Sequence, residues 1–316
     1  MTFRRRLHRL VRAAIHVLGA ISIVLLAGML LQAIVESQQR QRFPPPGEMI
    51  DIGDGRVIHL RTWGADNDGP TLIFESSASM FSSQWAWLAR DLGTDYRIVA
   101  TDRPGMGWSR GVSGPRDALS AVEALSAALE LAGIGPPYVV FGHSWGGVAA
   151  RVFADMHRDD VIGLVLLDTT NAGPGDGDGY AVLYRYSAWV GHSGWYQILP
   201  LPPSELSGLP PDEAERAVAV SRWTSHLDAT ADELAAWDRS IEQVDRAGSF
   251  GDLPLLVVRA HGPREHIEDQ RDLLRLSTNS TLIELDNVGH TAMLTDEAQS
   301  RIVLTELRPW LETVIP

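Results

Sequence analysis

Beyond about residue 48, the chain alternates short, continuous apolar runs with longer stretches that have apolar residues at helical spacing. This alternation is typical of a parallel sheet covered by helices on both faces. Two earlier runs, 49–52 and 56–63, flank Gly53-Asp54-Gly55, which predicts a β-hairpin. The pattern therefore predicts an α/β fold with a mostly parallel sheet of about eight strands. The later runs cover residues 71–74, 97–100, 138–141, 163–167, 255–258 and 281–285.

One interval breaks this alternation. From about residue 172 to 251 the sequence shows helix-compatible pieces and no clear buried strand. An insertion of about 80 residues is too long for a simple loop. We interpret residues 172–251 as a helical lid over the carboxyl ends of the strands, where open α/β sheets bind ligands. The core then comprises residues 48–171 and 252–316, with helices expected over 117–132 and 296–311.

The N-terminal segment differs from the rest of the chain. Residues 1–12 hold five arginines and precede an apolar stretch, 13–35, that is long enough to span a bilayer as a helix. The positive-inside rule then places residues 1–12 in the cytoplasm and the remaining chain outside, in a single-pass arrangement at the cell membrane. The polar, proline-rich residues 36–47 are interpreted as a stiff linker. The alternative is a cleaved signal peptide and a secreted protein, but the run is long and no clear Ala-x-Ala site follows it.

Composition and charge exclude several kinds of site and argue against one class of partner. The absence of cysteine excludes disulfides, thiolate metal sites and a cysteine nucleophile. All 27 basic residues are arginine, which excludes a Schiff-base lysine. The whole chain has a net charge of −13. Residues 1–42 carry +6, so residues 43–316 carry −19. Such an acidic folded part argues against nucleic acid as a partner. The sequence has no metal-ligand cluster, phosphate-binding loop or cofactor signature, and we expect neither metal nor cofactor.

The strongest chemical signal is Gly142-His143-Ser144-Trp145-Gly146, which follows an apolar run and precedes a helix-compatible segment. Gly-x-Ser-x-Gly at a strand-to-helix turn is a nucleophile elbow, which exposes the serine Oγ above the sheet. Glycines on either side allow neighbouring backbone to approach closely. The sequence therefore predicts Ser144 as a nucleophile.

A serine nucleophile needs a base and an acid that orients the base. His290 stands in Asn287-Val-Gly-His290, directly after the last apolar run, and is the predicted base. Asp168 closes the run 163–167 and is the predicted acid. Glu265, in the loop after 255–258, is the alternative acid.

An oxyanion hole requires two backbone N–H donors. The amide of Trp145, directly after the nucleophile, is the first predicted donor. The second is predicted from the loop after residues 71–74, where the chain reads Glu75-Ser-Ser-Ala-Ser79. We choose Ser77, with Ala78 as the alternative.

These residues together resemble the α/β-hydrolase fold superfamily, over about residues 49–316. The turn Asp102-Arg-Pro-Gly-Met-Gly-Trp-Ser109 looks like a motif of that superfamily and is more specific than the elbow alone. The order Ser144, Asp168, His290 agrees with the superfamily order, and an acid after the sixth strand is a known variant of it. The resemblance implies that the Asp102–Ser109 turn shapes the sheet edge. The loop after residues 71–74 departs from the His-Gly that many members have there.

The resemblance implies a serine hydrolase that cleaves a carboxylic ester or related acyl bond through an acyl-enzyme on Ser144. Serine at the elbow argues against the dehalogenases and epoxide hydrolases of this fold, which use aspartate there. Aminopeptidase, C–C bond hydrolase and perhydrolase activities stay open, as does a catalytically silent, membrane-tethered binding domain. The lid tryptophans suggest a small, apolar substrate, although such residues more often pack the lid. They are Trp189, Trp195, Trp223 and Trp237.

Overall fold

The computed structural model describes residues 2–111, 114–171, 173, 175–199 and 204–315, without the side chains of 2–6, 264 and 265. Eight strands form one sheet in the order β1-β2-β4-β3-β5-β6-β7-β8. The hairpin β1–β2 is antiparallel and β2 pairs antiparallel with β4, while all later pairs are parallel. The strands are β1 (Glu48–Gly53), β2 (Arg56–Trp63), β3 (Thr71–Glu75), β4 (Arg97–Thr101), β5 (Tyr138–His143), β6 (Val161–Leu167), β7 (Leu255–Arg259) and β8 (Ser280–Glu284). The predicted sheet is confirmed.

Helices cover both faces of this sheet, as predicted. One face packs against α3, α4 and α8, and the other against α2, α10 and α11. Continuous burial along β3 and β5 is the consequence, because each strand contacts a helix layer on either side. The helices are α1 (Thr2–Arg42), α2 (Ala86–Leu92), α3 (Ala118–Leu131), α4 (Gly146–Met156), α5 (Asp178–His192), α6 (Pro211–Val220), α7 (Thr224–Ala235), α8 (Trp237–Ala247), α9 (Arg264–Asp272), α10 (Ala292–Thr295) and α11 (Glu297–Val314).

The two helices expected in the core form close to the expected residues. Asp117 is the N-cap of α3, and its side chain accepts a 3.0 Å hydrogen bond from the Ser120 amide. Asp296 caps α11 in the same way through the Gln299 amide. An aspartate that accepts from the third residue of a helix satisfies an amide that has no intrahelical partner. Pro309 lies inside α11 rather than at its end, because the helix continues to Val314.

The N-terminal helix α1 is long and apolar enough to cross a membrane, with a mean hydropathy of 2.4 in its most apolar part. Both membrane anchors and signal sequences have this property. The predicted linker 36–47 is wrong in its first half, because α1 continues unbroken to Arg42. Glu36 explains the extension: its carboxylate accepts hydrogen bonds from the amide and the hydroxyl of Thr224, at 3.0 and 3.1 Å. These bonds hold the last turns of α1 against the folded part of the chain.

The insertion of residues 172–251 lies between β6 and β7, and its described part contains α5 to α8. Helix α8 packs on α3 and α4, whereas α5 packs mainly on α7. A separate apolar cluster joins the insertion to the core through Trp223, Trp108 and Phe81. The insertion is thereby placed over the end of the sheet at which β3, β5 and β6 terminate.

Candidate active site

Ser144 occupies the sharp turn between β5 and α4. Its φ is +53°, a left-handed conformation that non-glycine residues rarely adopt. The turn depends on the flanking glycines, because a Cβ on Gly142 would lie 2.5 Å from the Gly146 carbonyl oxygen, and one on Gly146 would lie 2.1 Å from the carbonyl oxygen of Glu75. The hydroxyl of Ser144 is thus presented at the carboxyl end of the sheet, beside the N-terminus of α4.

Asp168 and His290 come together at the same end of the sheet. His290 Nδ1 lies 2.6 Å from Asp168 Oδ2. The other carboxylate oxygen, Oδ1, accepts a 2.8 Å hydrogen bond from the amide of Ala260. Burial by itself would raise the pKa of Asp168, but the hydrogen bonds and charge of His290 and the amide bond lower it to about 2. Asp168 is therefore ionised at neutral pH, and His290 Nδ1 is the donor.

A second histidine on Asp168 was missed by the sequence analysis. His266, on α9, lies with its Nε2 2.8 Å from Asp168 Oδ1. The apolar pattern carries no signal for it, because α9 is a polar helix that follows a loop. The alternative acid, Glu265, has its backbone in α9, but its side chain lies outside the described part of the structure.

Ser144 and His290 line one cavity of about 780 Å³, together with Asp168. The His290 side chain is 46 % exposed, whereas that of Asp168 is 1 % exposed. Among the described residues, no hydrogen bond within 3.5 Å joins Ser144 Oγ to His290. Catalytic hydrogen bonds in unliganded sites are often long and tighten when substrate binds. The geometry therefore brings the three predicted residues into one pocket, with the contact between Asp168 and His290 already formed.

The two predicted oxyanion donors have different surroundings. Trp145 is the N-cap residue of α4, and the amides at a helix N-terminus have no intrahelical acceptor. Ser77 also lines the cavity, but its amide donates a 3.1 Å hydrogen bond to Gln84 Oε1. An oxyanion bound by the Ser77 amide would have to share or replace this hydrogen bond. The second donor therefore stays a prediction, and Ala78, which also lines the cavity, is the alternative.

Gln84 belongs to a buried chain of hydrogen bonds that joins three loops of the site. Its Nε2 donates to His143 Nδ1 at 2.7 Å, and His143 Nε2 lies 2.9 Å from the carbonyl oxygen of His290. Burial, with the nearby His290, lowers the pKa of His143 to about 3, so the ring is neutral. Only the tautomer with a proton on Nε2 satisfies both partners. The network thereby connects the Ser77 loop and the nucleophile elbow to the His290 loop.

Arg103, from the Asp102–Ser109 turn, connects the same region to the insertion. Its guanidinium donates to the carbonyl oxygens of Ser76 and Ser77, at 2.7 and 2.9 Å. It also makes a two-point ion pair with Glu233 of α7, and it lies over the Trp145 ring at 4.5 Å. By holding the two carbonyls, Arg103 fixes the orientation of the peptide groups that follow them.

The insertion supplies one wall of the cavity, through Tyr180, Tyr184, Leu234 and Trp237. Trp237 is thus the one of the four predicted tryptophans that lines this cavity. Trp189 and Trp195 instead line a second groove, on the outer side of the insertion. Trp223 is buried in the cluster that joins the insertion to the core. Aromatic and apolar side chains form most of this wall, as in most small-molecule sites, and Asp176 and Glu205 of the insertion add two carboxylates to the cavity lining.

Solved structures with this fold include enzymes of different chemistry. A candidate lipase from Acinetobacter baumannii AYE superposes with a TM-score of 0.66 and 21 % identity, over 90 % of this chain and 96 % of that one. A variant of an epoxide hydrolase from Bacillus megaterium superposes with a TM-score of 0.63 and 17 % identity, over 84 % of this chain and 100 % of that one. At these identities the likeness establishes the fold alone.

Sequence comparison gives the family. An uncharacterized protein of Schizosaccharomyces pombe is 25 % identical over 297 residues, which are 82 % of this chain and 55 % of the relative. The chain thus spans about half the length of that relative. The family and the fold support a hydrolase. Because the sequence model described as the alpha/beta hydrolase family matches residues 63–303, the chain belongs to the alpha/beta hydrolase family.

Proposed function

We propose that the protein is a serine hydrolase that cleaves a carboxylic ester, or a related acyl bond, of a small apolar substrate. The observation that carries the proposal is the 2.6 Å contact between His290 Nδ1 and Asp168 Oδ2, in a cavity that Ser144 also lines. A base held by an ionised acid, beside a serine on a strained elbow, is the arrangement that serine hydrolases use.

The proposed reaction has two stages. His290 takes the proton of Ser144 Oγ as that oxygen attacks the ester carbonyl carbon, and Asp168 stabilises the imidazolium. The alcohol leaves with a proton from His290, and the acyl group remains on Ser144. A water molecule then gives a proton to His290 and attacks the acyl carbon; Ser144 Oγ leaves, takes that proton from His290, and the acid is released. The Trp145 amide and the second donor, Ser77 or Ala78, stabilise the oxyanion in both stages.

The test compares Ser144→Ala, His290→Ala and the wild type on short p-nitrophenyl esters, with a fluorophosphonate probe as a second readout. We expect turnover and labelling in the wild type and loss of both in Ser144→Ala. Because the chain has no cysteine, Ser144→Cys provides a further variant whose single thiol reports access to the elbow by alkylation. Retention of wild-type turnover or probe labelling by Ser144→Ala would overturn the proposal.

We also propose that α1 anchors the protein in the cell membrane, with residues 1–12 in the cytoplasm and the catalytic part outside. The arginines before the apolar stretch support this orientation. The test is labelling of single-cysteine variants His8→Cys and Leu131→Cys in intact cells with a membrane-impermeant maleimide. We expect label only on Leu131→Cys. Label only on His8→Cys would reverse the orientation, and recovery of the protein in the medium without residue 8 would show cleavage.

A further inference from the structure

The outer face of α5 exposes a continuous row of large apolar side chains. Val182, Leu183, Tyr186 and Trp189 recur at helical spacing and are 73, 59, 62 and 54 % exposed. Leu199, after the helix, extends the row. Leu183, Tyr186, Trp189 and Leu199 border a groove of about 650 Å³. An exposed apolar surface of this kind on a folded domain usually marks a contact with a membrane or a partner. We call it the α5 surface.

Helix α1 docks directly beside the α5 surface. Gly28 packs so closely that a Cβ there would lie 2.0 Å from the carbonyl oxygen of Ser193, the residue that ends α5. One turn further along, Gln32 Oε1 accepts a 3.0 Å hydrogen bond from Gln197. The buried positions Gly28, Gln32 and Glu36 recur at helical spacing, so one stripe of α1 faces the insertion.

Around Gly28 and Gln32, the other faces of α1 carry exposed apolar side chains. Leu26, Met29, Leu30 and Ile34 are 64, 50, 62 and 48 % exposed. If these side chains lie in lipid, the bilayer reaches at least to Ile34, which is beyond the docking point at Gly28. The α5 surface is then continuous with the lipid-facing side of α1 and meets the bilayer at its edge. Tyrosine and tryptophan are enriched at that depth in membrane proteins.

The groove of the α5 surface also borders the catalytic cavity. Tyr184 lines both, and its hydroxyl lies 3.1 Å from Ser79 Oγ on the wall that carries Ser77. Tyr184 thus lies between the groove and the cavity that Ser144 lines.

We propose that the α5 surface lies in the interfacial layer of the membrane that α1 crosses, and that the catalytic cavity takes an acyl lipid from that layer past Tyr184. The location of the α5 surface rests on the proposed membrane anchor. The entry of an acyl lipid rests on the proposed serine hydrolase function. The proposed occupant is the lipid interface and not a particular headgroup, because the row presents apolar and aromatic side chains. An amphipathic helix with aromatic residues on its apolar face partitions into the interface in this manner.

The first experiment uses the lack of cysteine in the chain. Single-cysteine variants Leu183→Cys and Trp189→Cys, each spin-labelled in the full-length protein in phosphatidylcholine nanodiscs, are compared with Leu131→Cys, a 61 % exposed leucine on α3. We expect oxygen to relax the labels at 183 and 189 and a water-soluble nickel complex to relax the label at 131. Nickel accessibility at 183 and 189 equal to that at 131 would overturn the proposal. Protection from both reagents would also overturn it, because it would show a protein partner or a second copy on the surface.

The second experiment tests the substrate half with the double variant Tyr186→Ser, Trp189→Ser. A long-chain acyl ester in the nanodisc is compared with p-nitrophenyl acetate in solution. We expect about a tenfold loss of kcat/KM for the bilayer ester and no change for the soluble ester. Equal rates on both substrates relative to the wild type would overturn entry from the membrane. A wild type inactive on both esters would refute the hydrolase function, whereas the spin-label result would still decide the location of the α5 surface.

Discussion

His266 donates a 2.8 Å hydrogen bond to Oδ1 of Asp168, the carboxylate whose Oδ2 holds His290. Because Asp168 is ionised, the His266 Nε2 atom carries the proton of this bond. The two histidines thus restrain both oxygens of one carboxylate, and the orientation of His290 depends on both contacts.

We therefore expect His266→Ala to lower kcat of ester hydrolysis about tenfold, with a smaller change in KM, since one hydrogen bond to a charged group contributes about 1.5–3 kcal/mol. His266→Gln keeps an N–H donor and should retain more activity. Measuring kcat and KM for both variants checks this. The control is His157→Ala, a histidine outside the cavity. Equal kcat for His266→Ala and the wild type would contradict a positioning role.

Gln84 gives a second prediction. Gln84→Leu leaves the Ser77 amide and His143 Nδ1 without their partners, and each buried unsatisfied group costs about 1–3 kcal/mol. We expect urea unfolding to show a loss of about 2 kcal/mol or more. In Gln84→Glu the carboxylate repels the His143 Nδ1 lone pair unless that ring gains a proton. The stability of Gln84→Glu should therefore recover as the pH falls, and a pH-independent loss would contradict the assigned tautomer.

Glu233 gives a third prediction, on the link between the insertion and the Ser77 loop. The Glu233 and Arg103 side chains are 3 and 4 % exposed. Removing one partner of a buried pair typically costs about 3–5 kcal/mol. Glu75, 3.9 Å from Arg103, compensates part of the remaining charge, so we expect the lower end of this range, about 3 kcal/mol. We expect Glu233→Ala to lose that much stability in urea unfolding. The control Arg301→Ala breaks an exposed ion pair with Glu297 and should change stability by less than about 0.5 kcal/mol. Similar losses in both variants would contradict the argument.

Glu75, at the end of β3, gives a prediction on pH. Burial raises the pKa of Glu75 to about 7, against the opposing charge of Arg103. The unfolded chain, with an ordinary pKa of 4.5, releases the proton first. The contribution of Glu75 to stability is therefore highest below pH 4.5 and falls by about 3 kcal/mol as the pH rises through 7.

Buried histidines also make stability depend on pH. Comparing the stability of the wild type with that of Glu75→Gln at each pH isolates the contribution of the Glu75 carboxyl group. We expect the stability difference, wild type minus variant, to decrease between pH 4.5 and 7 in a series of urea unfolding curves. A difference that is constant over this range would mean that the carboxyl group titrates normally.

The sheet and the strand-end residues were predictable because their signals are local. Asp168 follows one apolar run directly, and His290 lies in the loop after another, so the alternation of strands and helices places them at one edge of the sheet. Ser144 is marked by glycines whose missing side chains the elbow requires. The roles of these residues in catalysis remain predictions.

The rest of the site depends on contacts between distant segments, which no local pattern encodes. His266 reaches Asp168 across 98 positions, and His143 reaches the His290 carbonyl across 147. The predicted linker failed for the same reason. Its prolines predict an extended segment, whereas α1 continues to Arg42 and Glu36 contacts Thr224, 188 positions away.

The unbroken course of α1 has a consequence for where the enzyme can act. Its 41 residues form one helix about 60 Å long without an internal proline, and its second half contacts the folded part of the chain through Gly28, Gln32 and Glu36. If α1 anchors the protein as proposed, the helix continues without a break from the membrane to the folded part of the chain. The cavity would then stay close to that membrane, and the protein would act on molecules of its own membrane rather than on those of an opposing surface.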